Sequence, residues 1–196
     1  MLFRSAGIVG MGGAGFPTHV KYMPKDPSAI DHIIVNCAEC EPYLTSDYRR
    51  MMEEPEKIVG GLQAAMKIFD GRAKGVLAVE DNKKDAAAKL REAAKGIPDI
   101  EVVELKTKYP QGAERQLIFA VTGRQINSSM LPADAGCVVN NCDTIHAIYE
   151  AVHFGRPVMK KVMTITGNAI KEPQNLRVRT GTNFRELIEE AGGFTS

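Results

Sequence analysis

Four glycines fall within six positions in the run Gly10-Met11-Gly12-Gly13-Ala14-Gly15, just ahead of Phe16-Pro17-Thr18 and Lys21. A backbone without side chains turns tightly and comes close to a flat or phosphorylated ligand. The run therefore suits a nucleotide or a flavin. It is not a Walker loop, because no Gly-Lys-Ser/Thr closes it, and no strand with a short turn leads into it as a Gly-x-Gly-x-x-Gly fingerprint requires. Taken alone, it also suits a flexible amino-terminal loop. Three further segments place polar residues where a strand or turn ends, which is where ligands settle in α/β sheets. Asn36-Cys37-Ala38-Glu39-Cys40-Glu41-Pro42-Tyr43 offers an amide and two carboxylates to the imide or hydroxyl groups of a flavin or ribose. A solvated acidic loop has the same composition. Tyr109-Pro110-Gln111-Gly112-Ala113-Glu114-Arg115 brings a ring that can cover a ligand and the N–H groups of an opening helix, or is a plain turn into that helix. Val139-Asn140-Asn141-Cys142-Asp143-Thr144 suits a phosphate, and equally the capping of a helix by Asp143 or Thr144.

Other chemistry is less well supplied. Cys37-x-x-Cys40 with Cys137 and Cys142 raises a tetrathiolate metal site, and Cys37 with Cys40 a thioredoxin-like dithiol. Cys137 falls in a buried strand, the gap to Cys142 is wide, and Pro42 spoils the helix a dithiol would open. Free thiols are expected, and no metal ligand is assigned. None of His19, His32, His146 and His153 pairs with a cysteine or serine in a nucleophile and base motif, so no catalytic side chain is assigned.

These segments need a frame. Short β-branched runs alternate with helical patterns, which predicts an α/β fold with helices flanking a sheet. Strands are expected at Ile33 to Val35, Val76 to Val79, around Val102-Val103 and at Cys137 to Val139. Between them lie a helix from Glu56 to Phe69, weakened or allowed to pack closely by Gly60-Gly61, and a surface helix from Asp85 to Lys95. Further helices carry Leu117, Ile118 and Val121, then Ile145, Ile148, Tyr149 and Val152. From Val158 the character changes to a strand over Val162 to Gly167, a Pro- and Asn-containing stretch, and a short helix with Asn183 as N-cap. These elements cannot enclose a core of their own. The expected division is residues 1–157 and a truncated second unit over 158–196. With 25 Lys+Arg against 24 Asp+Glu and no basic cluster, nucleic acid is not an expected partner. No apolar run reaches the length of a membrane span or a secretory signal, so a cytoplasmic protein is expected.

Together and in order, the four segments resemble the C subunit of the Rnf electron-transport complex and, more distantly, the NADH-binding flavoprotein subunit of respiratory complex I. The resemblance implies a Rossmann-like three-layer domain that holds FMN with NADH stacked against it, followed by the start of a β-grasp-like (SLBB) domain. It implies that Gly12, Gly13 and Gly15 approach the flavin and dinucleotide, with Phe16 near the nicotinamide and Lys21 near the FMN. Asn36, Glu39 and Glu41 would bind isoalloxazine or ribityl groups. Tyr109, Gly112 and Glu114 would line the cleft, and Asn140, Asn141 and Thr144 would hold the phosphate side. Met11, Ala38 and Ala113 depart from the complex I relative. The implied activity is that of an NADH dehydrogenase-type oxidoreductase subunit, passing hydride between nicotinamide and flavin and then single electrons to iron-sulfur clusters in parts absent from this chain. The implied partners are NADH, ferredoxin-type carriers and the other subunits of a membrane-associated complex, reached from the inner face of the membrane; a related soluble electron carrier serving an amino-acid reductase, or an assembly module without cofactor, is the alternative.

Overall fold

The computed structural model describes residues 2–195. The chain opens with two single-turn helices, α1 (Leu2–Ser5) and α2 (Thr18–Lys21), joined by the glycine run. Strand β1 (His32–Cys37) is followed by α3 (Ser46–Glu53) and α4 (Pro55–Met66), and then β2 (Lys74–Glu80), α5 (Lys84–Ala93) and β3 (Ile100–Leu105). After α6 (Glu114–Thr122) come β4 (Cys137–Asn141) and α7 (Cys142–Phe154). The four strands form one parallel sheet in the order β3-β2-β1-β4.

Alternation along the strands sorts the core into two layers. Ile33, Val35 and Cys37 of β1 join Leu77, Val79 and Val138 under α3, α4, α5 and α7, while Ile34 joins Val76, Ala78, Cys137 and Val139 under Leu117 and Ile118 of α6. Strands covered on both faces read as continuous apolar runs, as these do. The Rossmann-like three-layer expectation therefore holds.

The Gly60-Gly61 pair serves close packing. A Cβ on Gly61 would lie 2.1 Å from the Ile145 carbonyl oxygen, and one on Gly60 2.6 Å from the Tyr149 ring, so α4 and α7 touch backbone to backbone only because both residues are glycine. The helix expected to reach Phe69 stops at Met66 and tightens into a 3₁₀ turn over Lys67–Phe69. Helix α3 has no counterpart in the sequence reading, because its inward face, Tyr48, Met51 and Met52, spans little more than one turn and is shared with the buried Arg50.

Beyond α7, β5 (Lys160–Ile165) and β6 (Gln174–Arg179) pair antiparallel, and α8 (Phe184–Glu190) buries Leu187. In sequence β6 shows only as part of a Pro- and Asn-containing stretch; its alternation is polar, and none of its residues is buried. The Asn183 side chain accepts from the Arg185 N–H, as an N-cap should. Asn175 of β6 donates to the Thr45 hydroxyl at 2.9 Å, and Arg177 reaches Glu54 at 3.2 Å, which seats the hairpin on α3. Among the described residues no helix is long and apolar enough to cross a membrane.

The sheet order fixes where a ligand can sit. The chain adds β2 and β3 on one side of β1, then crosses to place β4 on the other, so the crevice outside the carboxyl ends of β1 and β4 is the topological switch point. At the opposite end of the sheet, Arg124 grips both Asp31 carboxylate oxygens at 2.6 and 2.7 Å. That hydrogen bonding holds the Asp31 carboxyl down to about 2, so its contribution is complete above the ordinary carboxylate range and is lost as pH falls toward 2. The pair is about half exposed, which limits it to under about 1 kcal/mol. Asp31→Asn should therefore shift the urea midpoint only slightly at pH 7; a loss of several kcal/mol would show that the pair does more than its exposure allows.

Candidate functional site

The glycine run folds into a loop closed at its base, where the Gly10 N–H donates to Phe16 C=O at 2.8 Å and the Thr18 N–H to Ile8 C=O at 3.2 Å. Gly13 (φ +130°) and Gly15 (φ +63°) hold left-handed backbone, with nothing within 4 Å of where a Cβ would stand. Gly12 is pressed onto the β4–α7 junction: its Cβ would lie 3.3 Å from that of Asn141. Next to it, the Met11 N–H donates to Thr144 Oγ1 at 2.9 Å, joining residues 133 positions apart. The loop thus lies over the amino end of the 13-residue helix α7.

That helix end is built by two asparagines. Asn141 Oδ1 accepts from the Asp143 and Thr144 N–H groups, capping α7, and its Nδ2 donates to Asp47 Oδ2 at 2.6 Å. Asn140 is buried and donates to the Tyr22 hydroxyl at 2.7 Å; burial keeps that phenol protonated. Lys21 Nζ donates to the Val139 carbonyl at 2.8 Å and to Glu114 at 2.7 Å, tying α2 to β4 and to the first residue of α6. On β1, Asn36 donates to Gly112 C=O at 2.8 Å and accepts from the Ala38 N–H. A Cβ on Gly112 would press on Asn36 and Cys40 at 3.2 and 3.3 Å.

Gly12, Gly13, Gly15, Lys21, Asn36, Gly112, Glu114, Asn140, Asn141 and Thr144 are thus carried by elements that meet at the switch point, with Phe16 closing the loop and 45% exposed. The others stand apart. Both Glu39 carboxylate oxygens are taken by the Asp47 and Tyr48 N–H groups at 2.7 and 3.0 Å. Glu39 therefore caps α3, and burial outweighs those bonds to raise its carboxyl. Glu41 and the exposed Tyr109 line a recess of about 500 Å³ over β1, β2 and β3, together with Glu39, Cys40, Lys83 and Asn82. Cys137 and Cys142 lie at opposite ends of β4, about 15 Å apart along the strand, so the four sulfurs do not converge. Cys40 meets the Gly112 N–H, whereas Cys37 lies in the core, where a hydrogen bond with it, and then burial, raises the Cys142 thiol.

An ionic cluster absent from the sequence reading packs beneath the α7 amino end. Arg50, only 8% exposed, donates from Nε to Asp143 at 2.8 Å and pairs through Nη1 with Glu54. Glu54 also meets Lys57, Arg177 and, at 3.1 Å, His146 Nε2. Burial works against ionisation of Glu54, yet the Lys57 hydrogen bond and the surrounding cations hold it at about 2. The same burial, and then the Arg50 charge, push His146 down to about 4. The only available signals were the four-residue spacing of Arg50 and Glu54 and the three-residue spacing of Asp143 and His146, which place each pair on one helical face. A histidine held neutral favours the folded state fully above its ordinary value and loses that contribution as pH falls toward 4. Relative to His146→Gln, the protein should lose about 1–2 kcal/mol between pH 7 and pH 5, read as the difference of two urea titrations; parallel curves would refute a neutral His146.

A three-layer α/β sheet with a glycine loop, a lysine and a capped helix end gathered at its switch point defines a flavin- or nucleotide-binding domain class. Residues 3–150 match the family model described as the Nuo51 FMN-binding domain, and residues 162–196 match the SLBB domain. The chain belongs to the Nuo51 FMN-binding domain family. Among similar proteins are the C subunits of two ferredoxin:NAD(+) oxidoreductase complexes, the proton-translocating one of Clostridium ljungdahlii and the Na(+)-translocating one of Acetobacterium woodii. The first is 51% identical over 98% of this chain and 42% of the relative, the second 50% over 98% and 43%. The C subunit of the ion-translocating oxidoreductase complex of Pseudomonas aeruginosa is 40% identical over 96% of this chain and 24% of its own length. The resemblance to Rnf C subunits is thereby established, and the chain spans less than half the length of these relatives. Among solved structures, the NAD+-reducing [NiFe]-hydrogenase in its H2-reduced state superposes with a TM-score of 0.83 at 23% identity, over 97% of this chain and 38% of that one, which bears on the fold.

Proposed function

We propose that residues 1–157 bind FMN at the switch point, that residues 158–196 begin the β-grasp-like unit, and that the protein exchanges electrons with NAD(H) as part of an Rnf-type ferredoxin:NAD oxidoreductase. The observation that carries this reading is the convergence of the glycine loop, Lys21 and the Asn140-Asn141-Thr144 turn from segments more than a hundred residues apart. The donor set fits a flavin phosphate: the positive end of the α7 dipole under an open glycine loop, an ammonium held in place, and at the foot of the loop a buried Thr18 hydroxyl with no hydrogen-bond partner among the described residues, while the Asp143 and Thr144 N–H groups are already taken by Asn141. When bound, FMN supplies hydride exchange with nicotinamide and single-electron transfer.

The side chains position and exclude. The α7 end and Lys21 hold negative charge, Gly13 and Gly15 leave the loop backbone open to a flat ring, and Phe16 offers an exposed aromatic edge for NADH. In this reading Asn36 and Gly112 set the floor of the cleft, Glu114 orients Lys21, and Glu39 supports α3. Glu41 and Tyr109, in the neighbouring recess, border the dinucleotide. The relatives' names, subunits of ferredoxin:NAD(+) oxidoreductase complexes, support ferredoxin-type carriers and other subunits as partners; in this reading the protein meets them at the inner face of the membrane, and the iron-sulfur clusters lie outside this chain. Titrating the purified protein with FMN should quench flavin fluorescence to saturation, and anaerobic NADH should then bleach the visible flavin band. Absence of saturable FMN binding overturns the reading.

A further inference from the structure

Asp47 has no part in the flavin reading, yet it sits at the centre of the site's supports. It is the second residue of α3, and its carboxylate accepts from Asn141 Nδ2 at 2.6 Å. The other end of that amide caps α7, and the Asn141 Cβ lies beneath Gly12. Glu39 accepts the Asp47 backbone N–H, while the Asp47 side chain holds Asn141, so the segment after β1, α3, the α7 end and the glycine loop meet at this one residue. An asparagine amide flipped or released from Asp47 would withdraw its carbonyl from the α7 N–H groups and shift the surface on which Gly12 rests. Resting on the flavin reading above, we propose that Asp47 is a positioning residue of the phosphate end of the cofactor site, holding Asn141 and with it the glycine loop in the geometry that receives an anion.

Its surroundings give that role a protonic signature. Asp47 faces Glu39 from the segment after β1, Arg50 from its own helix, and Asp143, with the Cys142 thiol close by, from α7. Burial, and then the charges of Glu39 and Asp143, raise its carboxyl to about 7. An arriving phosphate adds negative charge to this group, so binding favours the protonated carboxyl and takes up part of a proton near neutral pH.

The test measures FMN and riboflavin affinity by fluorescence quenching from pH 6 to pH 8 in the wild type, Asp47→Ala and Asp47→Asn, with circular dichroism to establish folding. Asp47→Ala removes the acceptor and should weaken FMN binding about tenfold or more, while riboflavin, which lacks the phosphate, changes less than about threefold. Asp47→Asn keeps an acceptor for Asn141 and should bind FMN within about threefold of wild type at pH 6, with the wild type weakening relative to it as pH rises through 7. Comparing the two proteins cancels the titration of the FMN phosphate itself. Wild-type FMN affinity and pH profile retained in both variants overturn the inference while leaving the flavin reading intact. Equal losses for FMN and riboflavin overturn it as well, since they place Asp47 away from the phosphate. A wild type that binds no FMN removes the flavin reading itself, and this inference with it. Should Asp47→Ala fail to fold, the Asp47→Asn pH profile decides.

Discussion

Replacing Arg50 with methionine is expected to lower the unfolding free energy by about 3–5 kcal/mol at pH 7, the cost of breaking a buried ion pair by removing one partner. Methionine matches the length of the arginine stem, so the loss is mainly charge and hydrogen bonds. The guanidinium is almost fully buried, bonds Asp143 from Nε and Glu54 from Nη1, and lies 3.5 Å from His146 Nε2. Without it Glu54 keeps Lys57 and Arg177, but Asp143 loses its only cationic partner among the described residues. The expected cost therefore lies mostly at Asp143, and the double variant Arg50→Met/Asp143→Asn should recover a large part of it. Urea unfolding of the single and double variants checks this; a single-variant loss below about 1 kcal/mol would mean that water reaches the cluster and that the arginine does not bind α3, α4 and α7 together.

The same cluster couples to pH through two buried groups that act in opposite senses. His146, held down at about 4 from an ordinary 6.5, makes stability rise with pH across that interval. Asp47, raised to about 7 from 3.8, makes stability fall across nearly the same interval, because the unfolded chain gives up that proton first. Their slopes largely cancel in the wild type and emerge separately in single variants, which is why each is tested as a difference. Arg50 links them, since its charge disfavours protonated His146 and favours ionised Asp47.

What could be read beforehand follows from what periodicity reports. Ile33-Ile34-Val35 and Val76 to Val79 announce themselves because both faces of each strand are buried, and the helix containing Gly60-Gly61 because Ile58, Leu62, Met66 and Phe69 recur at helical spacing. Helix α3 is not legible, since Arg50 interrupts its short inward face beside Met51, and the burial of that arginine depends on Asp143 of α7, 93 positions away. The site divides the same way. Glycines and asparagines at strand ends declare backbone needs that are local, so Gly12, Asn140 and Asn141 are legible in the sequence. For Glu39 the sequence shows only a carboxylate beyond a strand, because nothing before Ser46-Asp47 reveals that a helix begins there and takes both its oxygens. The pairing of Asp47 with Asn141 joins residues 94 positions apart and is a property of the folded chain alone.

Lys21→Met should weaken FMN binding about a hundredfold, or about 2.7 kcal/mol. The ammonium is held between the Val139 carbonyl and Glu114, so it is fixed in place before any ligand arrives and loses little freedom on meeting a phosphate or flavin oxygen. A preset cation makes a charge-assisted hydrogen bond of about 1.5–3 kcal/mol. Methionine removes that bond and leaves the Val139 carbonyl and the Glu114 carboxylate facing the cleft, which adds repulsion toward an anion. Arginine at the same position keeps the charge but cannot meet both protein oxygens with one nitrogen in the same geometry, so Lys21→Arg should fall between wild type and Lys21→Met. Glu114→Gln keeps the bulk while freeing the ammonium, so it should impair NADH oxidation with a smaller loss of FMN affinity. Fluorescence titration of the three variants orders these outcomes. FMN affinity within about threefold of wild type in Lys21→Met would place the ammonium outside the cofactor's reach and reduce it to a structural tie between β4 and α6.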